Sequence, residues 1–125
     1  MEGVNLTGHP SDRLPGHASF TVEYIEGEAM MLFLAARGVY VASGSACSSK
    51  ALKVSPVLLS MGIPAGSAQG SIVFTLGTGN TDEDIGYALT EFPQIIRRLR
   101  EISPYAEKGW DAMDTGHKCF TTSTE

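Results

Sequence analysis

Ser71-Ile72-Val73-Phe74-Thr75-Leu76-Gly77-Thr78-Gly79-Asn80-Thr81-Asp82-Glu83-Asp84-Ile85 decides the architecture, because a strand stops and a helix starts within it. Residues 71–76 mix β-branched and aromatic side chains, which suit a pleated, half-buried surface. Gly77-Thr78-Gly79 then punctuates the chain. Thr81 can cap a helix, and Asp84 three residues on makes a near capping box. Asp82, Glu83 and Asp84 favour the positive end of the helix dipole. Beyond them Ile85, Leu89, Phe92, Ile96 and Leu99 form one apolar stripe at helical spacing. Arg97, Arg98 and Arg100 suit the far end, Pro93 is expected to bend the middle, and Ser103-Pro104 ends the helix.

Working back toward the N-terminus, Ser55-Pro56-Val57-Leu58-Leu59-Ser60-Met61 fits a short helix with Ser55 as N-cap and Pro56 at its first position. Val39-Tyr40-Val41-Ala42 reads as a short strand. Glu26 to Arg37 reads as a helix with an acidic start, apolar Met30, Met31, Leu34 and Ala35, and Gly38 as its stop. Residues 18–24 carry aromatic and β-branched side chains with partial alternation and read as a strand. Residues 1–16 are polar and rich in turn formers. The order β-α-β-α-β-α predicts an α+β domain: a small sheet of three or more strands with helices on one face. It does not predict a dinucleotide fold, because neither Gly77-Thr78-Gly79 nor Gly62-Ile63-Pro64-Ala65-Gly66 has the G-x-G-x-x-G spacing. The expected division is a domain over 1–104 and a polar tail over 105–125.

Composition narrows the functional classes. The 125 residues suit one modest core, with 42% hydrophobic and 18% charged residues. A net charge of −5 argues against nucleic acid as a partner, since phosphate contacts need clustered Lys and Arg. The longest apolar run, Ala29 to Ala36, is far short of the roughly 20 residues that span a bilayer. With no leader visible at Met1-Glu2-Gly3-Val4-Asn5 and two cysteines, Cys47 and Cys119, the expectation is a cytoplasmic protein with free thiols. No Cys-x-x-Cys or His-x-x-x-His pair suggests a metal site.

From Ser43 to Ser49 no residue has a large side chain: Ser43-Gly44-Ser45-Ala46-Cys47-Ser48-Ser49. Such a stretch has nothing to anchor it to a core and is expected to be an exposed loop. A nucleophilic cysteine reacts as its thiolate, and the hydroxyls of Ser45, Ser48 and Ser49 can stabilise one by hydrogen bonds. Composition alone favours Cys47 as a small buried residue, since free Cys is commonly buried.

This stretch resembles the catalytic-cysteine loop of cysteine desulfurases, class V aminotransferase-like enzymes, in the branch serving nitrogen fixation and iron–sulfur assembly. Further matches follow in the same order. They are Gly8-His9-Pro10, Arg13-Leu14-Pro15-Gly16, Glu26-Gly27-Glu28, Ser71-Ile72, Phe74, Leu76-Gly77, Thr81 to Ile85, Arg98-Leu99-Arg100 and Ser103-Pro104. The resemblance implies the C-terminal small domain of a fold-type I pyridoxal phosphate (PLP) enzyme. It implies a homodimer in which PLP sits on a lysine of a large domain absent from these residues, so this chain alone would hold no cofactor and is not expected to catalyse. It assigns Cys47 as the nucleophile that takes sulfur from L-cysteine as a persulfide, releasing alanine, and passes it to an acceptor protein, with Ser45 and Ser48 as hydrogen-bonding neighbours.

Two departures stand out. His117-Lys118 is the one dipeptide like the family's cofactor lysine, and it lacks the residues that follow there. The arginine that grips the substrate carboxylate after Ser-Ile is here Val73, and the second arginine-like position after Leu-Gly is Thr78. Valine offers no fork for a carboxylate. Arg13 and Arg37 are the other candidates; His9 and His17 are generic candidate bases for Cys47, with His9 in Gly-His-Pro read first as fixing a turn and His17 as following another. Cys119 could receive sulfur. Met30-Met31 reads as core filling. Three functions remain open: part of a desulfurase working with a separate large domain, a stand-alone sulfur-relay or partner-binding module, or a structural remnant with Cys47 buried.

Overall fold

The computed structural model describes residues 1–44 and 54–104. Its elements run β1 Val4–Leu6, β2 His17–Val22, α1 Gly27–Ala36, β3 Ala42–Ser43, α2 Pro56–Ser60, α3 Ala65–Ala68, β4 Ser71–Thr75 and α4 Asp82–Ile102. The strands form one antiparallel sheet in the order β1-β2-β4-β3. The expected α+β class holds.

Register decides what each face of the sheet carries. Phe20 lies opposite Ile72, and Ser19 and Thr21 lie opposite Val73 and Ser71. Side chains alternate along a strand, so Phe20, Val22, Ile72 and Phe74 share one face, while Ser19, Thr21, Ser71 and Val73 share the other. The apolar face is covered by α1 and α4. Val22, Ile25, Met30, Leu34, Ile72, Ile95, Ile96 and Leu99 form its buried cluster. Phe74 makes edge-to-face contacts with Phe20 at 6.1 Å and Phe92 at 5.2 Å between ring centroids. The α2–α3 segment lies on the polar side, where Met61, Ile63, Pro64 and Ser67 line a shallow depression with Asn5 and Thr21. The two long helices thus share one face, as expected, and the two short ones add a second layer.

Caps and turns explain the boundaries. Glu26 and Arg37 are the caps of α1 rather than members of it. Gly38 takes φ +81°, and the amides of Gly38 and Val39 donate to Ala35 and Leu34. That closing turn consumes Val39, leaves Tyr40 85% exposed, and delays pairing to Ala42–Ser43 instead of 39–42. Strand β2 begins at His17 and stops at Val22, because Tyr24 turns the chain at φ 68° and its carbonyl accepts from Ser103 Oγ at 2.7 Å. Ser55 sits at the N-cap of α2 without a side-chain bond. Thr81 makes the expected reciprocal capping box with Asp84. Strand β1 and helix α3 have no counterpart in the sequence-based expectation: three residues between glycines and four small residues after a proline are too short for a periodic signal.

The stripe on α4 is only half used. Ile96 and Leu99 are buried and Phe92 packs on the core, but Ile85 is exposed and Leu89 is 69% exposed. Length explains it. Helix α4 runs unbroken through Pro93 for 21 residues, about 31 Å, whereas the five residues of β4 span roughly 17 Å. The first turns of α4 therefore overhang the sheet.

Ile96→Ala should lower unfolding free energy by about 2–5 kcal/mol, whereas Leu89→Ala should change it by less than about 0.5 kcal/mol. Urea titration followed by circular dichroism separates the two.

Candidate functional site

Cys47, Ser45, Ser48 and Ser49 lie outside the described residues, as do Cys119 and His117-Lys118. The scaffold from which the Cys47 segment departs is described. Strand β3 ends at Ser43, opposite Ile72, and Gly44 follows. The chain is described again from Val54, one residue before the cap of α2.

Three glycines crowd around Ser71 at this point. A side chain at Gly27 would lie 2.3 Å from the Ser71 carbonyl oxygen, and one at Gly44 would lie 2.4 Å from Ser71 Oγ. One at Gly70 would lie 2.0 Å from the Val22 carbonyl. Backbone groups fill the space instead: Gly27 donates to Gln69 at 2.9 Å and Val22 to Gly70 at 2.8 Å. The Glu26-Gly27-Glu28 helix start, the Gly70-Ser71 strand start and the Ser43-Gly44 strand end thus converge. Ser71 is fully buried, and its hydroxyl has no hydrogen-bond partner among the described residues. The sequence offered no sign of this, since a serine opening a strand looks unexceptional.

Val73 lies directly opposite Ala42 on β3 and Ser19 on β2. It therefore sits on the polar face, two residues along β4 from Ser71, and presents a half-buried aliphatic surface where no carboxylate can pair. Thr78 is exposed in the turn after β4, beyond the opposite end of the strand.

The other candidates serve the fold. Arg13 Nη1 donates to the carbonyls of Thr7 at 2.7 Å and His9 at 2.9 Å, tying down the β1–β2 connection. His9 Nδ1 accepts from the amides of Asp12 at 2.8 Å and Ser11 at 3.2 Å, so this imidazole shapes a turn. Arg37 pairs with Glu91 of α4, and Tyr87 Oη donates to the Arg37 carbonyl at 2.7 Å. His17 lies opposite Thr75, roughly 14 Å along β4 from Ser71, so it stands at the far end from Gly44. Met30 is buried in the core cluster, as expected, while Met31 is half-buried.

Nothing among the described residues fits a PLP cradle. All four lysines, at positions 50, 53, 108 and 118, lie outside them. No group of three or more His, Cys, Asp or Glu among the described residues is placed to hold a metal, and no helix there is long and apolar enough to cross a membrane.

The family model for class-V aminotransferases matches residues 1–87, and the chain belongs to that family. Within it the chain is similar to cysteine desulfurases: 43% identical over 105 residues to IscS of Methanosarcina thermophila, 47% over 108 residues to IscS of Dictyoglomus turgidum, and 41% over 111 residues to NifS of Azotobacter vinelandii. These alignments cover 84%, 86% and 89% of the chain, but 26%, 27% and 28% of the relatives. The chain thus spans about a quarter of the length of the curated relatives it matches. Among solved structures, a NifS-like protein from Rickettsia africae superposes with a TM-score of 0.66 at 26% identity, over 78% of this chain and 24% of that one.

Arg13→Ala should loosen the connection at residues 7–16 and cost about 1 kcal/mol of stability, while the alkylation rate of Cys47 stays at the parental value. Thermal unfolding and timed iodoacetamide labelling measure the two effects side by side.

Proposed function

We propose that this chain is the C-terminal part of a cysteine desulfurase, with Cys47 as its persulfide-carrying thiol. The observation that carries the reading is the collinear 41–47% identity to cysteine desulfurases, combined with a Ser-Gly-Ser-Ala-Cys motif whose first residue, Ser43, is the last of strand β3. A sulfur carrier has to reach both a donor and an acceptor, and a stretch of small residues joined to a sheet edge suits that double task.

The chemistry of the step is a displacement at sulfur. The Cys47 thiolate attacks the sulfur of L-cysteine, an S–S bond forms, and the C–S bond breaks with its electron pair going to carbon, which is protonated to give alanine. PLP, which the family resemblance places on a separate large domain, would supply the electron sink that makes this bond labile. Ser45 and Ser48 stabilise the thiolate by hydrogen bonds. The outer sulfur then passes to an acceptor protein in the iron–sulfur or other sulfur-cofactor pathways. The partners in this reading are the PLP-binding domain, the acceptor and a second copy of the enzyme.

Val73 favours a second reading. With an aliphatic residue opposite Ala42, position 73 does not supply the cation a free amino acid's carboxylate needs, a charge-assisted bond worth roughly 1.5–3 kcal/mol. The chain would then act as a relay: the Cys47 thiolate takes the outer sulfur of a persulfide donor, an S–S bond forms, and the donor leaves as a thiolate.

Mass spectrometry after incubation with a small-molecule persulfide should show one added sulfur on Cys47, and Cys47→Ser should abolish it. Equal labelling of the Ser variant would reject the thiol assignment. Mixing with a PLP-loaded large domain and L-cysteine should release alanine under the first reading. Under the second it should not, while Val73→Arg in the same mixture should raise alanine release by about tenfold or more.

A further inference from the structure

We infer that the free side of β1 is a docking edge for an extended, basic segment of a partner protein, which adds as a fifth, antiparallel strand and seats one apolar side chain against Met61, Ile63 and Pro64. This surface is independent of the thiol assignment.

The first observation is where the backbone of β1 points. The Glu23 amide donates to the Gly3 carbonyl at 2.9 Å and the Thr7 amide to the Ser19 carbonyl at 2.9 Å. Residues 3, 5 and 7 therefore hold the bonded positions of the β1–β2 ladder. Val22, which lies opposite Val4, agrees with this alternation: its amide donates the other way, to the Gly70 carbonyl at 2.8 Å. The N–H and C=O groups of Val4 and Leu6 thus point off the sheet, and no described residue pairs with them. They stand two residues apart, roughly 6.8 Å, a repeat matched by another extended backbone. Two such residues make a short edge, which alone discourages indiscriminate strand pairing. A side-chain contact has to add to it.

The second observation is that contact. Asn5 shares the polar face with Thr21, and Met61, Ile63, Pro64 and Ser67 line an open depression beside them of about 360 Å³. Met61 and Pro64 are exposed and Ile63 is half-buried. Residues directly opposite each other in neighbouring strands share a face. The incoming residue opposite Asn5 therefore points into the depression, whose lining is largely apolar and carries no charge. Backbone bonds for attachment and a pocket for one alternate side chain are the two parts of strand-addition recognition. Charge decides the source. The chain carries −5, so two copies repel. Glu2 is exposed at the Val4 end of the edge, with the Glu23 carboxylate near Gly3, while Arg100 and Arg13 are engaged on backbone carbonyls. A partner with basic residues flanking its apolar one is attracted.

Solution NMR of the 125-residue chain tests this, with the peptide acetyl-Lys-Thr-Leu-Thr-Lys-amide as probe. Titration should shift the amides of Val4, Leu6 and Ile63 along one saturating curve. Replacing the central Leu of the probe by Gly or Asp should weaken binding about fivefold or more. N-methylating both Thr removes the hydrogens that bond to β1 and should weaken it about tenfold or more, whereas N-methylating the central Leu, whose N–H faces away, should leave it within about twofold. Leu6→Pro deletes one outward N–H while sparing the bonded positions, and should weaken binding about tenfold. Should that variant fail to fold, the N-methylated probes decide, because they leave the protein untouched. Equal binding of the two N-methylated probes, shifts that miss Val4 and Leu6, or no binding would overturn the inference. Slow amide exchange at Val4 and Leu6 in the free, dilute chain would mean that the chain fills its own edge, and protection that grows with concentration would mean a second copy. Either result refutes the partner assignment.

Discussion

The antiparallel ladder between β2 and β4 is the constraint from which the rest of the molecule follows. It joins two strands distant in sequence, His17–Val22 and Ser71–Thr75, at the centre of the sheet. Its register sends Phe20, Val22, Ile72 and Phe74 to one face, and a slip by a single residue would send them all to the other. That face is what α1 and α4 pack on. The opposite face is polar by the same alternation, and it is where Ser71, Val73 and the α2–α3 segment meet. Among the described residues β3 pairs with β4 alone, so the ladder also holds Ser43, the last residue of β3.

The close approach of backbones around Ser71 is a second consequence. Gly70 must lie against the Val22 and Ile25 carbonyls, and Gly27 against the Ser71 carbonyl, for β2, β4 and the start of α1 to meet at one corner. Replacing either glycine would push backbone against backbone, and backbone cannot step aside as a flexible side chain can. The Glu26-Gly27-Glu28 match to desulfurases therefore has a physical meaning: the middle residue has no room for a side chain.

Much of the fold was legible because its strongest signals are local. The Thr81–Asp84 box, the acidic first turn of α4, the Pro56 start of α2 and the Gly38 stop of α1 depend on residues a few positions apart, and each lies where the sequence indicates. What escaped depends on distant partners. Strand β1 exists because Val4, Asn5 and Leu6 find Val22, Thr21 and Phe20. The exposure of Leu89 depends on where the sheet ends, which no helical period encodes. The role of Arg13 as a clamp on Thr7 and His9 depends on loop geometry. The thiol motif was plain in the sequence as a run of small residues, whereas the close approach of Gly44 to Ser71 appears only once β3 is laid beside β4.

The brevity of β3 bears on how readily this edge of the sheet opens. Its ladder consists of Ala42 opposite Val73 and Ser43 opposite Ile72, at the margin of the sheet. Detaching it sacrifices little, since the β2–β4 ladder and the apolar cluster beneath survive. Fluctuations that open so small a margin sit at the cheap end of the range seen in native proteins. Amide exchange at Ala42 and Ser43 would then run ahead of exchange at Phe20 and Val22, as a seam that parts while the cloth holds.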